Sequence, residues 1–206
     1  MPREQFKDLP TERIAPGEYC TMPQGGVIAT LLGSCVAACL FDPIAGVAGM
    51  NHFLLSNRRY ARDLPFPETE AGRYGIQAME LLINDMLQAG ARRSRLRAKV
   101  FGGASIINAS QVGDNFACVG AVNSRFIQEF LATERIPLLT ADLGGEHGRV
   151  IYFDTRDYAV YVRKIKKTQS MKLAERDHRV WQRELGEHEQ PASPGGLAAA
   201  NIELWS

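Results

Sequence analysis

Cysteine is scarce in this 206-residue chain, with only Cys20, Cys35, Cys39 and Cys118 and no C-x-x-C pair among them. A disulfide framework, a zinc knuckle and a thioredoxin-type redox site are all excluded by that count and spacing. A domain of this length buries about 70% of the surface its unfolded chain exposes, so it needs no such staple. Long hydrophobic runs are missing too. Gly, Pro or a charge interrupts every apolar stretch, and no membrane insertion is expected. The opening MPREQFKDLP is polar and of mixed charge, so no secretory signal is read and the expected compartment is the cytoplasm. An excess of charge of one sign is also lacking: 24 Lys and Arg against 23 Asp and Glu leave +1, which argues against nucleic acid as a partner. Neither G-x-G-x-x-G nor a P-loop occurs. Gly102-Gly103 and Gly144-Gly145 instead suit tight turns and close backbone approach at the wall of a cleft.

What is present reads as one globular domain with tails. Residues 1–18 are polar with three prolines and are expected to form a loosely held arm. Residues 27–32, 35–41 and 47–55 are apolar runs punctuated by Gly33-Ser34 and by Asp42-Pro43, and read as three buried strands. Residues 57–70, with Pro65 and Pro67, read as an exposed loop able to overhang a site. Ile76, Met79, Ile83, Met86 and Leu87 mark one face of a helix over 73–89, with Gly90 as its stop. Further strands are expected over 96–101, 136–141, 149–153 and 158–163, the last two as a hairpin, with Asn123 as the N-cap of a second helix. The class is therefore α/β or α+β with layered sheets. The domain spans 19–167. Beyond it, 168–206 forms a partly helical tail, amphipathic over 171–185, flexible over 190–200, and ending in the apolar Ile202, Leu204 and Trp205.

The segment Thr30-Leu31-Leu32-Gly33-Ser34-Cys35-Val36 sets a thiol directly after a Gly-Ser turn between two apolar strands. Such a turn can expose a thiol at a strand end and aim backbone N–H groups at one point, where they would stabilise an oxyanion. His52, in the next strand, could stand beside it and hold a thiolate–imidazolium pair. The alternative is a buried core cysteine next to a satisfied histidine, since free cysteine is among the most buried residue types. Cys39, Cys20 and Cys118 read as core. A metal site from Cys35, Cys39 and His52 lacks any supporting ligand spacing. His147 sits in a glycine-rich surface turn, and His178 and His188 lie in the polar tail.

Gly33-Ser34-Cys35-Val36-Ala37, then Asp42-Pro43, then His52-Phe53-Leu54-Leu55 resemble the signature of CheD, the chemoreceptor glutamine deamidase family. Gly102-Gly103-Ala104, Asn123, Asp142-Leu143-Gly144-Gly145 with Gly148-Arg149, and Val162-Arg163 follow in register, so the resemblance covers about residues 16 to 165. It implies a layered mixed-sheet sandwich with flanking helices, similar in active-site arrangement to deamidating bacterial toxins. The implied reaction is hydrolysis of selected glutamine side-chain amides on chemoreceptors, with Cys35 as nucleophile, His52 as general base and acid, and no cofactor or metal. The family's third residue, a threonine, falls at Ala29 here, with Thr30 one residue nearer the cysteine. In a regular strand that shift turns the side chain to the other face. A bulge would bring Thr30 back, or a backbone carbonyl or water would fill the role. Ser56 stands where a proline usually closes the His-Phe-Leu-Leu run.

Two readings follow from the resemblance. One is a cysteine-dependent protein-glutamine glutaminase acting on chemoreceptor cytoplasmic helices. The other is a non-catalytic partner of a CheC-type CheY-phosphate phosphatase or of receptors, with Ala29 marking lost turnover. The tail could also fold back over the active site as a plug.

Overall fold

A computed structural model of the chain describes residues 6–55, 70–105 and 119–188. The expected loop at 57–70, apart from Glu70, lies outside these residues, as do Cys118, the 190–200 linker and the terminal apolar cluster.

Nine strands form two mixed sheets among the described residues. In chain order they are β1 (Thr11–Arg13), β2 (Tyr19–Pro23), β3 (Val27–Leu32), β4 (Val36–Asp42), β5 (Val47–Asn51), β6 (Arg97–Gly102), β7 (Leu138–Leu143), β8 (Arg149–Asp154) and β9 (Val160–Lys164). One sheet has the order β1-β3-β8-β9 and the other β2-β5-β4-β6-β7. The β1–β3 and β6–β7 pairs are parallel and the rest antiparallel. The helices are α1 (Glu70–Gln88), α2 (Val119–Thr133) and α3 (Lys167–His188).

Side-chain alternation along the strands explains the layers. On β4, Val36, Ala38 and Leu40 face outward onto Met79, Leu82 and Ile83 of α1 and Ile127 and Phe130 of α2. Cys35, Ala37, Cys39 and Phe41 face inward and meet Ile28, Leu32, Ile151 and Phe153 of the other sheet. Both faces of β4 are thus buried, which accounts for its unbroken apolar sequence. The outer face of the first sheet is covered near β3 by the N-terminal segment, where Phe6 stacks on Tyr152 at 5.8 Å beside Val27 and Ala29.

That last contact corrects the expectation of a loosely held arm. Phe6 and Ile14 are buried, and β1 adds a parallel edge to β3. Gly90 ends α1 as expected: at φ +102° it lets its own N–H reach Leu87 O and the Ala91 N–H reach Met86 O. Asn123 is a second correction. It lies inside α2 and caps nothing.

Candidate active site

The chain crosses from one sheet to the other through Gly33-Ser34-Cys35, between the end of β3 and the start of β4. A turn buried at the meeting of two sheets needs partners for its carbonyls. Each of the three has one. Ala104 N–H donates to Gly33 O at 2.8 Å, Asn123 Nδ2 to Ser34 O at 2.8 Å, and Gly103 N–H to Cys35 O at 2.7 Å. Gly102 makes the approach possible, because at φ +118° a Cβ there would stand 2.2 Å from Cys35 O. Asn123 also accepts the Leu55 N–H at 2.9 Å, tying the turn to the segment after β5. The sequence signals for these braces were the small residues after β6 and a lone asparagine on a helix.

His52 follows β5 directly and shares a sheet face with Cys35. Cys39 pairs with Met50, and Val36 bridges Phe53, so the register carries His52 opposite Ala37, diagonally adjacent to Cys35. Thr30 comes from the other sheet. It occupies the inward face of β3 with Ile28 and Leu32, and its Oγ1 stands 2.7 Å from His52 Nδ1 and 2.7 Å from Ile14 O. β3 pairs with β8 in continuous register from Val27 to Leu32, so no bulge is involved. Ala29 faces the opposite way, against Phe6 and Tyr152.

The two contacts of Thr30 fix the imidazole. A hydroxyl has one proton; given to Ile14 O, it leaves Thr30 Oγ1 to accept from Nδ1–H, so the lone pair resides on Nε2. His52 Nε2 is buried and has no hydrogen-bond partner among the described residues. Burial, joined by the nearby Arg176 guanidinium and opposed by the Ile14 carbonyl, lowers the His52 pKa to about 3. The imidazole is neutral and available as an acceptor.

Cys35 is fully buried. Burial raises its thiol pKa well above the ordinary value, and the Asp177 carboxylate adds to this through its charge and a hydrogen bond, while Arg176 works the other way. The resting site therefore holds a thiol and a neutral imidazole and not the expected ion pair. Asp177 belongs to α3, is itself fully buried, and accepts from Ser34 N–H at 3.0 Å and Ser34 Oγ at 3.2 Å. Arg176 donates to Leu31 O at 3.1 Å and pairs with Asp177 at 2.8 Å. Sequence reasoning missed both α3 residues, since a charged pair in a polar tail carries no mark of burial.

On the outer face of the first sheet, the face of Ala29 and Tyr152, a cleft of about 620 Å³ opens between the sheet and α3, with Arg13, Arg163, Lys172 and Arg176 on its wall. The remaining candidates lie elsewhere. Cys39 is buried in the inter-sheet core, its thiol pKa raised by burial, and Cys20 is half-buried on β2. His147 is exposed, and His178 stacks on Trp181 at 5.8 Å. Asp142 and Gly144 hold the buried Arg149, whose guanidinium pairs with Asp142 Oδ1 at 2.8 Å.

A protein from Geobacter sulfurreducens, "Probable chemoreceptor glutamine deamidase CheD 1", is 65% identical over 194 residues, covering 94% of this chain and 92% of that one. Relatives of like name from Shewanella oneidensis and Chromobacterium violaceum are 48% and 47% identical, over 78% and 76% of this chain and 80% and 74% of theirs. A solved structure from Neisseria meningitidis overlaps 70% of this chain and 65% of its own at 10% identity with a TM-score of 0.40, a distant likeness. Residues 56–164 match the family model for CheD, chemotactic sensory transduction, and with these relatives they show that the chain belongs to the CheD family.

Proposed function

We propose that this chain is a cysteine-dependent glutamine deamidase acting on the cytoplasmic helices of chemoreceptors; its relatives are named probable chemoreceptor glutamine deamidases. The observation that carries the reading is the Thr30–His52 contact of 2.7 Å, which leaves Nε2 as the basic nitrogen of an imidazole that lies diagonally across the β4–β5 register from Cys35. In the proposed reaction His52 Nε2 takes the Cys35 proton, and the thiolate adds to the glutamine side-chain carbonyl carbon. The new C–S bond pushes an electron pair onto oxygen, and backbone N–H groups of the Ser34-Cys35 turn would receive that oxyanion. His52 then protonates the departing nitrogen, ammonia leaves, and a thioester remains. A water, giving its proton to His52, cleaves the C–S bond. Glutamate and the free thiol result, the sum being glutamine plus water to glutamate plus ammonia.

The receptor helix would dock at the Gly33-Ser34-Cys35 turn and not in the cationic cleft, whose Arg13 and Arg163 share the face of Ala29 and Tyr152, turned away from Thr30 and His52. A helix of a CheC-type phosphatase is a second occupant for the same surface. The deciding experiment is peptide mass spectrometry of a chemoreceptor cytoplasmic fragment incubated with the chain or with its Cys35→Ala variant. Conversion of glutamine to glutamate at a few sites, with the intact thiol only, is expected. Equal conversion by both, or none by either, would sink the deamidase reading.

A further inference from the structure

The buried face of α3 is narrow. Leu173, Asp177 and Trp181 recur every fourth residue and are each buried, while Lys172, Glu175, Arg179, Gln182 and Arg183 are exposed. Each of the three has a defined seat. Leu173 packs where a Cβ on Gly148 would collide with it, Trp181 enters the inter-sheet core that contains Cys35, and Asp177 lies on the nucleophile's own turn.

The chemistry at Asp177 is that of the proposed substrate's end. A carboxylate oxygen accepts from Ser34 N–H and Ser34 Oγ, with the carboxylate against the Cys35 thiol. A glutamine amide reaching Cys35 from a docked helix would present its carbonyl oxygen to the same donors, and its glutamate product would leave a carboxylate there. Aspartate has no amide to lose and its carboxylate resists thiolate attack, so it fills the place without reacting. Helix, side-chain polarity and donors all match a substrate helix, and the match is intramolecular.

Seating is also opposed. Lys172 of α3 lines the outer-face cleft together with Arg13 and Arg163 of the sheet, like charges on facing walls, while Arg176 beside them is paired with Asp177 at 2.8 Å.

We propose that α3 is an intramolecular occupant of the surface on which the substrate helix docks, with Asp177 standing where the substrate's side-chain amide goes, so that α3 must leave before Cys35 can react. The identity of the displaced substrate rests on the deamidase reading; the covering of Cys35 does not. Two measurements on the full chain test it. Labelling of Cys35 by iodoacetamide, followed by mass spectrometry, is expected to run at least tenfold faster in Asp177→Ala and in Trp181→Ala than in the unmodified chain, with cooperative thermal melts retained. Unchanged labelling in both folded variants would overturn the proposal. Hydrogen exchange of the unmodified chain needs no variant. Amides of α3 are expected to exchange at least tenfold faster than those of β4, by local opening. Equal protection of α3 and β4 would show a helix that leaves only on global unfolding, and would overturn it as well. Receptor conversion then separates the two ideas. Faster conversion by both variants supports a shared site, fast labelling with unchanged conversion refutes it, and fast labelling with no conversion by any form sinks the deamidase reading while the cover stands.

Discussion

Thr30 of β3 and His52, just after β5 of the other sheet, meet at 2.7 Å through a hydroxyl that also contacts the Ile14 carbonyl at 2.7 Å. The hydroxyl orients the imidazole and selects its tautomer. Thr30→Val keeps the shape and removes that control, leaving Nδ1–H and Ile14 O without their partner. The expected stability loss is about 1–3 kcal/mol, because buried polar groups are left unsatisfied. Turnover on a receptor fragment should fall by about 100-fold or more, in line with a misdirected general base. Thr30→Ser should restore most of it. Ala29→Thr added to Thr30→Val should restore nothing, since position 29 faces Phe6 and Tyr152. Steady-state rates of the four proteins, with urea melts alongside, check this. Recovery by Ala29→Thr would move the third residue to position 29.

Asn123 acts on the turn and touches no reacting atom. Its amide donates to Ser34 O at 2.8 Å and accepts from Leu55 N–H at 2.9 Å, so it locks the nucleophile's turn to the segment that follows His52. Asn123→Ala strands a buried donor and a buried acceptor, and about 2–4 kcal/mol of stability should be lost. Asn123→Asp can still accept from Leu55 and cannot donate to Ser34, so it should rescue only part. Chemical denaturation measures both. An alanine variant within about 0.5 kcal/mol of the parent would mean that the turn holds without this brace.

Legibility followed burial pattern. The runs that became β3 and β4 were readable because both faces of each strand are covered and every position is apolar or small. The apolar stripe of α1 was readable from its period. β1 was not: Thr11-Glu12-Arg13 is an exposed polar edge whose only strand signal is the backbone of β3 beside it. Asn123 misled for a related reason, as an N-cap preference is local and a buried brace to Ser34 depends on tertiary placement. Cys35 and His52 stood out through spacing and resemblance, and Thr30 was weighed against Ala29. Asp177 was invisible, because its partner Ser34 is 143 residues away.

Gly102 offers a test of how closely β6 approaches the turn. Its φ of +118° and the 2.2 Å that would separate a Cβ from Cys35 O combine backbone strain with a clash against another main chain. Gly17 has φ +87° and nothing within 4 Å of a Cβ, so only the strain applies there. Gly17→Ala should cost about 1 kcal/mol. Gly102→Ala should cost about 3 kcal/mol or more, since neither backbone can yield cheaply. Thermal melts of the two variants side by side decide the matter. Equal losses would place Gly102 farther from Cys35 than found.

Acid should unfold this protein partly through His52. Its pKa is about 3 in the folded chain against 6.5 when unfolded, so between those values the unfolded state binds the extra proton. Stability is therefore fully present above pH 6.5 and is lost as pH falls toward 3, at up to about 1.4 kcal/mol per pH unit. Asp42 and Asp154 also have lowered pKa values. For Asp42, burial pushes upward but is outweighed by the N–H groups of Arg92, Ala45 and Ile44 and by Arg95; for Asp154 the hydrogen bond from Arg156 leads. As carboxylates with an ordinary pKa of 3.8, they add their loss only at the acid end. The window from pH 6.5 to 4.5 thus isolates the imidazole. Urea denaturation at half-unit steps should give a steep slope for the parent and a flatter one for His52→Gln, whatever their absolute stabilities. Parallel slopes would mean that His52 takes up its proton in the folded chain, and the neutral resting imidazole would have to be abandoned.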